Sequence, residues 1–196
     1  MQRLDPRKVL VLFAIREEAG RGFDDVVSEV VFTGVGKVNA AYGLTRALTK
    51  TRPELVVSFG TTGSPKLQKG TVVECTRFVQ RDMDVRALGV PLGTTPLDPL
   101  PAVLDVPRRL THLPEGTCGT GDSFVTGQTT LPCDVVDMEA YALAKICRLE
   151  GVPFMAVKYV TDHADASAHR DWIENLPGAV DTFRQLYDTL IRTPTG

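Results

Sequence analysis

The sequence has no long hydrophobic run and almost no excess of either charge. It contains no stretch of about 18 apolar residues, and its first residues, MQRLDP, are not typical of a signal peptide. We therefore expect no membrane partner. The 22 Lys and Arg residues nearly balance the 24 Asp and Glu residues, leaving a net charge of −2. This balance indicates no nucleic-acid partner.

Cysteine and histidine are scarce and scattered. The four cysteines form no Cys-x-x-Cys pair, which favours reduced structural thiols and a cytoplasmic protein. The three histidines do not have the spacing of zinc ligands. We expect no bound metal.

Apolar runs alternate with helical patterns along most of the chain. With 196 residues, 43% of them hydrophobic, the chain is expected to form a single domain over 1–196. Alternating strands and helices predict a three-layer α/β/α sandwich. The strand-like runs are 9–15, 26–33, 55–59, 70–79, 133–136 and 154–160, and the helical runs are 37–50, 138–150 and 171–192. The proline-rich stretch 91–114 is predicted to be loop with a short helix.

Two carboxylates lie where predicted elements meet loops. Glu139 precedes a helical run, where the helix dipole favours an ionised side chain that only accepts hydrogen bonds. Asp162 follows a buried strand, at the edge where open α/β sheets bind their ligands. The Gly-Val-Gly-Lys turn at 34–37 is not a P-loop, because valine follows the lysine. It is not a dinucleotide fingerprint either, because Asn39 replaces the third glycine.

Seven segments, spread over residues 9 to about 176, form one ordered set of motifs. In chain order they are FAIREE (13–18), TGVGKVNAA (33–41), SFGTTG (58–63), DMDVRALG (82–89), GDSFV (121–125), VVDMEA (135–140) and VTDHAD (160–165). Together they resemble motifs of the methylthioadenosine/S-adenosylhomocysteine nucleosidases of the nucleoside phosphorylase superfamily. The resemblance implies a central mixed β-sheet. It also implies a catalytic site that needs no cofactor.

The resemblance assigns three acidic residues to the chemistry. Glu18 would activate the attacking water, Glu139 would bind the ribose hydroxyls, and Asp162 would assist departure of adenine through N7. The last role needs a pKa raised by burial. Two simpler readings remain open: Glu18 as a solvated carboxylate in the first turn of a helix, and Asp162 as a loop cap.

The remaining residues implied by the resemblance would surround the substrate. Phe124 and Val125 would form the purine site, and Trp172 would cover the 5′ side of the sugar. For all three, ordinary packing is the alternative. The other positions expected to contact substrate are Ile15, Thr61, Gly63, Met138 and Lys158, the last replacing the family's usual arginine.

Val85 and Leu88 match positions that reach into the partner subunit's pocket in the family's dimers, which implies a homodimer. The function implied is hydrolysis of the N-glycosidic bond of a 5′-modified adenosine. Three alternatives stay open: a phosphorylase, a nucleosidase for another 5′-substituted adenosine (futalosine-like or lipid-linked), and a non-catalytic nucleoside-binding relative.

Overall fold

The computed structural model describes residues 4–192 as a mixed β-sheet with helices on both faces. The strands are β1 (Val9–Phe13), β2 (Glu29–Phe32), β3 (Leu55–Gly63), β4 (Val72–Gln80), β5 (Val103–Asp105), β6 (Glu115–Thr120), β7 (Val135–Asp137) and β8 (Phe154–Asp162). The α-helices are α1 (Arg16–Ala19), α2 (Lys37–Leu48), α3 (Ala140–Glu150) and α4 (Ala168–Arg192), and short 3₁₀ turns cover Pro6–Lys8 and Arg86–Leu88.

Strand β1 shows why the chain forms three layers. All five of its residues are buried, as expected for a strand covered on both faces. Leu10 and Leu12 pack with α2 and α3, whereas Val11 and Phe13 pack with α4 on the opposite face. The predicted three-layer α/β/α sandwich is therefore confirmed.

The sheet runs in the order β2–β1–β3–β7–β6–β4–β5, and β8 pairs with both β3 and β4. Strands β3, β7, β6, β4 and β8 thus close into a ring. Strand β8 is parallel to β3 and antiparallel to β4, so the sheet is mixed. This ring brings the ends of β3, β7 and β8 together on one side of the molecule.

Several predicted boundaries were wrong. The strand predicted at 55–59 is too short, because β3 continues to Gly63, where its backbone pairs with β8 as far as Asp162. Strands β5 and β6 were missed. Strand β6 has the sequence EGTCGT, and two of its glycines pack closely against neighbouring side chains: a Cβ at Gly119 would lie 2.7 Å from Cys133 Sγ. Its polar, glycine-rich sequence therefore gives no apolar strand signal.

No helix within residues 4–192 is long and apolar enough to cross a membrane. Predicted helix 37–50 ends at Leu48, predicted helix 138–150 begins at Ala140, and α4 begins three residues before the predicted 171.

Candidate active site

A pocket of about 270 Å³ opens at the ends of β1, β3, β7 and β8, bounded by the loop 121–125 and the first turns of α4. It brings together ten of the thirteen residues singled out from the sequence: Ile15, Glu18, Thr61, Gly63, Phe124, Val125, Met138, Glu139, Asp162 and Trp172. Its size suits a small organic ligand. Lys158, Val85 and Leu88 do not line it.

Glu18 is buried, only 5% exposed, whereas its neighbour Glu17 is exposed. The structure ends β1 at Phe13, two residues before the predicted end of the strand, and places both glutamates in the helical turn α1. Oε1 of Glu18 accepts hydrogen bonds of 2.8 Å from the backbone N–H and the hydroxyl of Thr61, and Oε2 accepts one of 3.3 Å from Ala14 N–H. These donors fix the carboxyl group at the pocket wall.

Trp172 extends this network. Its Nε1–H donates to Thr61 Oγ1 at 2.9 Å, while the Thr61 hydroxyl donates to Glu18. The indole is therefore held against the pocket by a specific hydrogen bond as well as by helix packing. A chain of two bonds links the first turns of α4 to Glu18.

Glu139 lies immediately before α3, and its Oε1 accepts a 2.8 Å hydrogen bond from Gly36 N–H. Gly36 has φ 91°, a conformation that favours glycine and that turns this N–H toward the carboxyl group. Burial, and then the nearby Asp137 carboxylate, raise the pKa of Glu139 to about 7. From the sequence we expected the helix dipole to keep this group ionised, but burial is the larger effect.

Asp137, rather than Glu139, caps helix α3. Its Oδ2 accepts the Ala140 N–H at 2.9 Å and its Oδ1 accepts the Thr120 hydroxyl at 2.5 Å. Lys158 Nζ lies 2.8 Å from the same Oδ2, and both side chains are almost completely buried. Burial alone would raise the pKa of Asp137, but Lys158 outweighs it and holds that pKa below its usual value.

Lys158 thus lies behind the pocket instead of on its wall, where the resemblance placed it. Burial disfavours its charged form, but the Asp137 carboxylate more than compensates and raises the pKa of the Lys158 ammonium. Nζ is also close to Gly60, where a Cβ would lie only 2.9 Å away. Lys158, Glu18 and Glu139 together line a second cavity of about 10 Å³, roughly the space that one water molecule needs.

Asp162 ends β8 and is buried. Burial raises the pKa of its carboxyl group, as expected from the sequence, although hydrogen bonds from Ala164 N–H and the Thr161 hydroxyl, both 2.9 Å, act against that increase. Gly63 gives this carboxyl group its room, because a Cβ at position 63 would lie 2.6 Å from Asp162 Oδ1. The glycine is therefore required by the position of the acid.

Phe124 and Val125 lie on the loop 121–125. Phe124 is 53% exposed, so it does not belong to the core and its ring faces open space at the pocket. Met138 is half-buried in the segment between β7 and α3. Val85 and Leu88 belong to a separate surface segment, with Leu88 75% exposed.

Sequence reasoning missed several residues of the pocket wall, notably Val35, Arg81, Ser123 and His169. Val35 and Ser123 lie within quoted motifs and Arg81 adjoins one. His169 precedes Trp172 by three positions on α4, a spacing that places both on one helix face. Residues 4–192 contain no group of three or more His, Cys, Asp or Glu side chains arranged to hold a metal ion.

The fold and the pocket define an α/β/α protein with a small binding site in which three carboxyl groups meet aromatic side chains. The family described as the phosphorylase superfamily matches residues 24–192, and the chain belongs to this superfamily.

Known relatives agree with this assignment. A 5′-methylthioadenosine/S-adenosylhomocysteine nucleosidase of Baumannia cicadellinicola subsp. Homalodisca coagulata is 32% identical over 183 residues, covering 83% of this chain and 80% of that protein. The crystal structure of the Helicobacter pylori nucleosidase of the same name has a TM-score of 0.86 at 22% identity, covering 97% of this chain and 99% of that one. A futalosine hydrolase of Helicobacter pylori has a TM-score of 0.85 at 20% identity, covering 94% and 97%. The two structures show that the fold is shared.

Proposed function

We propose that this protein hydrolyses the N-glycosidic bond of a 5′-substituted adenosine of the methylthioadenosine or S-adenosylhomocysteine type and releases adenine. The observation that carries the proposal is the convergence of Glu18, Glu139 and Asp162 on one pocket of a chain 32% identical to a nucleosidase with these substrates in its name.

The three acids differ in their surroundings, and those surroundings suit three roles. Glu18 accepts three hydrogen bonds, which leaves its carboxylate fixed as an acceptor that can take a proton from water. Asp162 has a raised pKa, as needed to hold a proton at N7 of the departing adenine. Glu139 faces the pocket beside Gly36 and would accept hydrogen bonds from the ribose hydroxyls.

The distribution of cations favours water over phosphate as the second substrate. Among the residues that line the pocket, Arg81 is the only lysine or arginine, and its guanidinium is already bonded to the loop 121–125. Arg16, two positions before Glu18, stacks over the Phe32 ring and pairs with Asp24 outside the pocket. A phosphate ion would face the three carboxyl groups of Glu18, Glu139 and Asp162 without a free cation.

Product analysis tests the proposal. The purified protein is incubated with methylthioadenosine, S-adenosylhomocysteine, adenosine and inosine, with and without phosphate, and the products are separated by chromatography. We expect adenine and free 5′-substituted ribose in phosphate-free buffer. Strict dependence on phosphate, with a ribose 1-phosphate as product, would instead identify a phosphorylase. Binding without any turnover would identify a non-catalytic relative.

We also propose that the protein forms a homodimer in which Val85 and Leu88 contact the partner subunit's pocket. The exposed apolar side chain of Leu88 supports an interface at this segment, and the Lys37–Asp82 ion pair brings the start of α2, with the exposed Val38, close to it. Sedimentation velocity at micromolar concentration should show a dimer. Val85→Asp combined with Leu88→Asp should split it and reduce activity, whereas Leu149→Asp, at an exposed leucine of α3, should not. A fully active wild-type monomer would contradict this proposal.

A cytoplasmic location is the remaining part of the proposal. All four cysteines are buried and unbridged, as in proteins of reducing compartments. Fractionation of cells expressing the tagged protein should recover it with cytoplasmic markers, and recovery in an oxidising compartment would contradict this location.

A further inference from the structure

Arg81, which follows β4, is almost buried, at 8% exposure, yet pairs with no carboxylate in the described part of the chain. Its guanidinium instead bonds three oxygen atoms of the loop 121–125. Nη1 donates to Ser123 Oγ at 3.0 Å, and Nη2 donates to the backbone oxygens of Gly121 at 3.0 Å and Ser123 at 2.5 Å. The planar fork of arginine suits several acceptors at once.

The next residue, Asp82, also binds this loop, but through a carboxylate that accepts hydrogen bonds. Its Oδ2 accepts the backbone N–H of Asp122 at 2.8 Å, and its Oδ1 accepts Lys37 Nζ at 2.6 Å. Arg81 therefore binds the carbonyl groups of the loop while Asp82 binds an N–H between them. Gly121 makes this contact possible, because a Cβ there would lie 2.9 Å from both Arg81 Cζ and Asp82 Cγ.

The loop needs such support because its apolar side chains provide little, and the Asp122 carboxylate adds only an exposed link to Lys37, whose N–H it accepts at 2.7 Å. Phe124 is 53% exposed, and no ring–ring contact among the described residues involves it. Ser123 is exposed and Val125 is only half-buried. Loop segments with few buried apolar contacts open easily, so the position of Phe124 depends on hydrogen bonds. Gly121 N–H donates to Asp137 O at 3.1 Å, and Arg81 and Asp82 make most of the other bonds.

We propose that Arg81, together with Asp82, is a positioning element that fixes the loop 121–125 as the wall against which the base of the nucleoside stacks. The inference rests on the proposed function. Glu18, Glu139 and Asp162 lie on other elements and do not bond Arg81, so loosening the loop weakens substrate binding more than bond cleavage.

Arg81→Lys tests the inference, because lysine keeps the charge but cannot bond three oxygens in one plane. We expect KM to rise about tenfold or more while kcat changes by less than about threefold, since uniform binding energy is lost. Arg77→Lys is the matched control: Arg77 is an exposed arginine of β4 outside the pocket, and its substitution should leave both constants unchanged.

Hydrogen exchange provides a readout that does not depend on turnover. Amides of 121–125 should exchange faster in Arg81→Lys than in wild type or Arg77→Lys, while those of β1 and β8 keep their protection. Ser123→Ala, which removes only the Nη1 acceptor at an exposed position, should produce a smaller change in the same segment, and it remains informative if Arg81→Lys does not fold.

Unchanged exchange at 121–125 in these variants would overturn the positioning role, whatever the substrate. So would a fall in kcat as large as the rise in KM. If wild type cleaves no nucleoside but the variants still release the loop, the proposed function fails while the structural role of Arg81 stands.

Discussion

The buried carboxyl group of Glu139 should make the free energy of unfolding depend on pH, and Glu139→Gln isolates this effect. Burial and the neighbouring Asp137 raise the pKa of Glu139 from 4.5 to about 7 in the folded protein. In the unfolded chain the group is solvated and titrates near 4.5. The folded state thus holds a proton that the unfolded state has released between these two values.

This difference in bound protons determines whether stability rises or falls with pH. Where the folded state binds more protons, stability falls as the pH rises. The loss begins near pH 4.5 and is complete above about pH 7. The difference between 4.5 and about 7, at about 1.4 kcal/mol per pH unit, corresponds to about 3 kcal/mol. Glutamine cannot ionise, and its amide oxygen can still accept the Gly36 N–H. The unfolding free energy of Glu139→Gln should therefore not decrease in this way as the pH rises.

Urea titrations at pH 4.5 and pH 8 measure the effect. We expect Glu139→Gln to match wild type within about 1 kcal/mol at pH 4.5 and to exceed it by about 3 kcal/mol at pH 8, with an unchanged m value. Glu17→Gln, the same chemical change at an exposed glutamate, controls for surface charge and should show no such divergence. Equal losses in wild type and Glu139→Gln between the two pH values would refute the reasoning.

Four further outcomes are expected. Asp162→Asn should lower kcat about 10²-fold or more in steady-state assays with little change in binding, because an amide cannot relay a proton. Gly63→Ala should lower activity at least tenfold in the same assay, since its Cβ would displace the Asp162 carboxyl group. Lys158→Met should reduce the unfolding free energy by about 3–5 kcal/mol in urea titrations, because its buried carboxylate partner loses its counter-charge. Wild type should cleave ribonucleosides faster than their 2′-deoxy forms, and Glu139→Ala should narrow that gap.

Strands and helices with a clear apolar period could be predicted from the sequence. Strand β1 and helix α3 follow simple patterns of burial, and α3 ends at Glu150, where Gly151 caps it with φ 66°, a conformation that favours glycine. Strand β6 could not be predicted in this way. Its two glycines are needed because neighbouring side chains pack closely against this strand within the closed ring. A single sequence does not reveal those contacts.

The residues of the pocket likewise include some that the sequence predicted and some that it did not. Ten of the thirteen residues named from the sequence line it, because motifs at strand ends converge once the sheet forms. Lys158 does not line the pocket because its side chain pairs with the Asp137 carboxylate behind it. The role of Arg81 could not be inferred from its neighbours in the sequence. Its hydrogen-bond partners lie about forty positions away, on a loop that meets the end of β4 only in the folded chain.

The environments of the acids also explain how one small pocket can hold carboxyl groups in different protonation states. Asp137 and Glu139 are two residues apart, yet the pKa of Asp137 is lowered by a buried lysine while that of Glu139 is raised by burial and by Asp137 itself. No lysine or arginine in the described part of the chain pairs with Asp162 to offset its burial, and its pKa is also raised. Divergent environments of this kind separate acid from base in a catalytic site. Lys158 therefore influences the pocket without lining it. It keeps Asp137 ionised, and the negative charge of Asp137 helps to raise the pKa of Glu139.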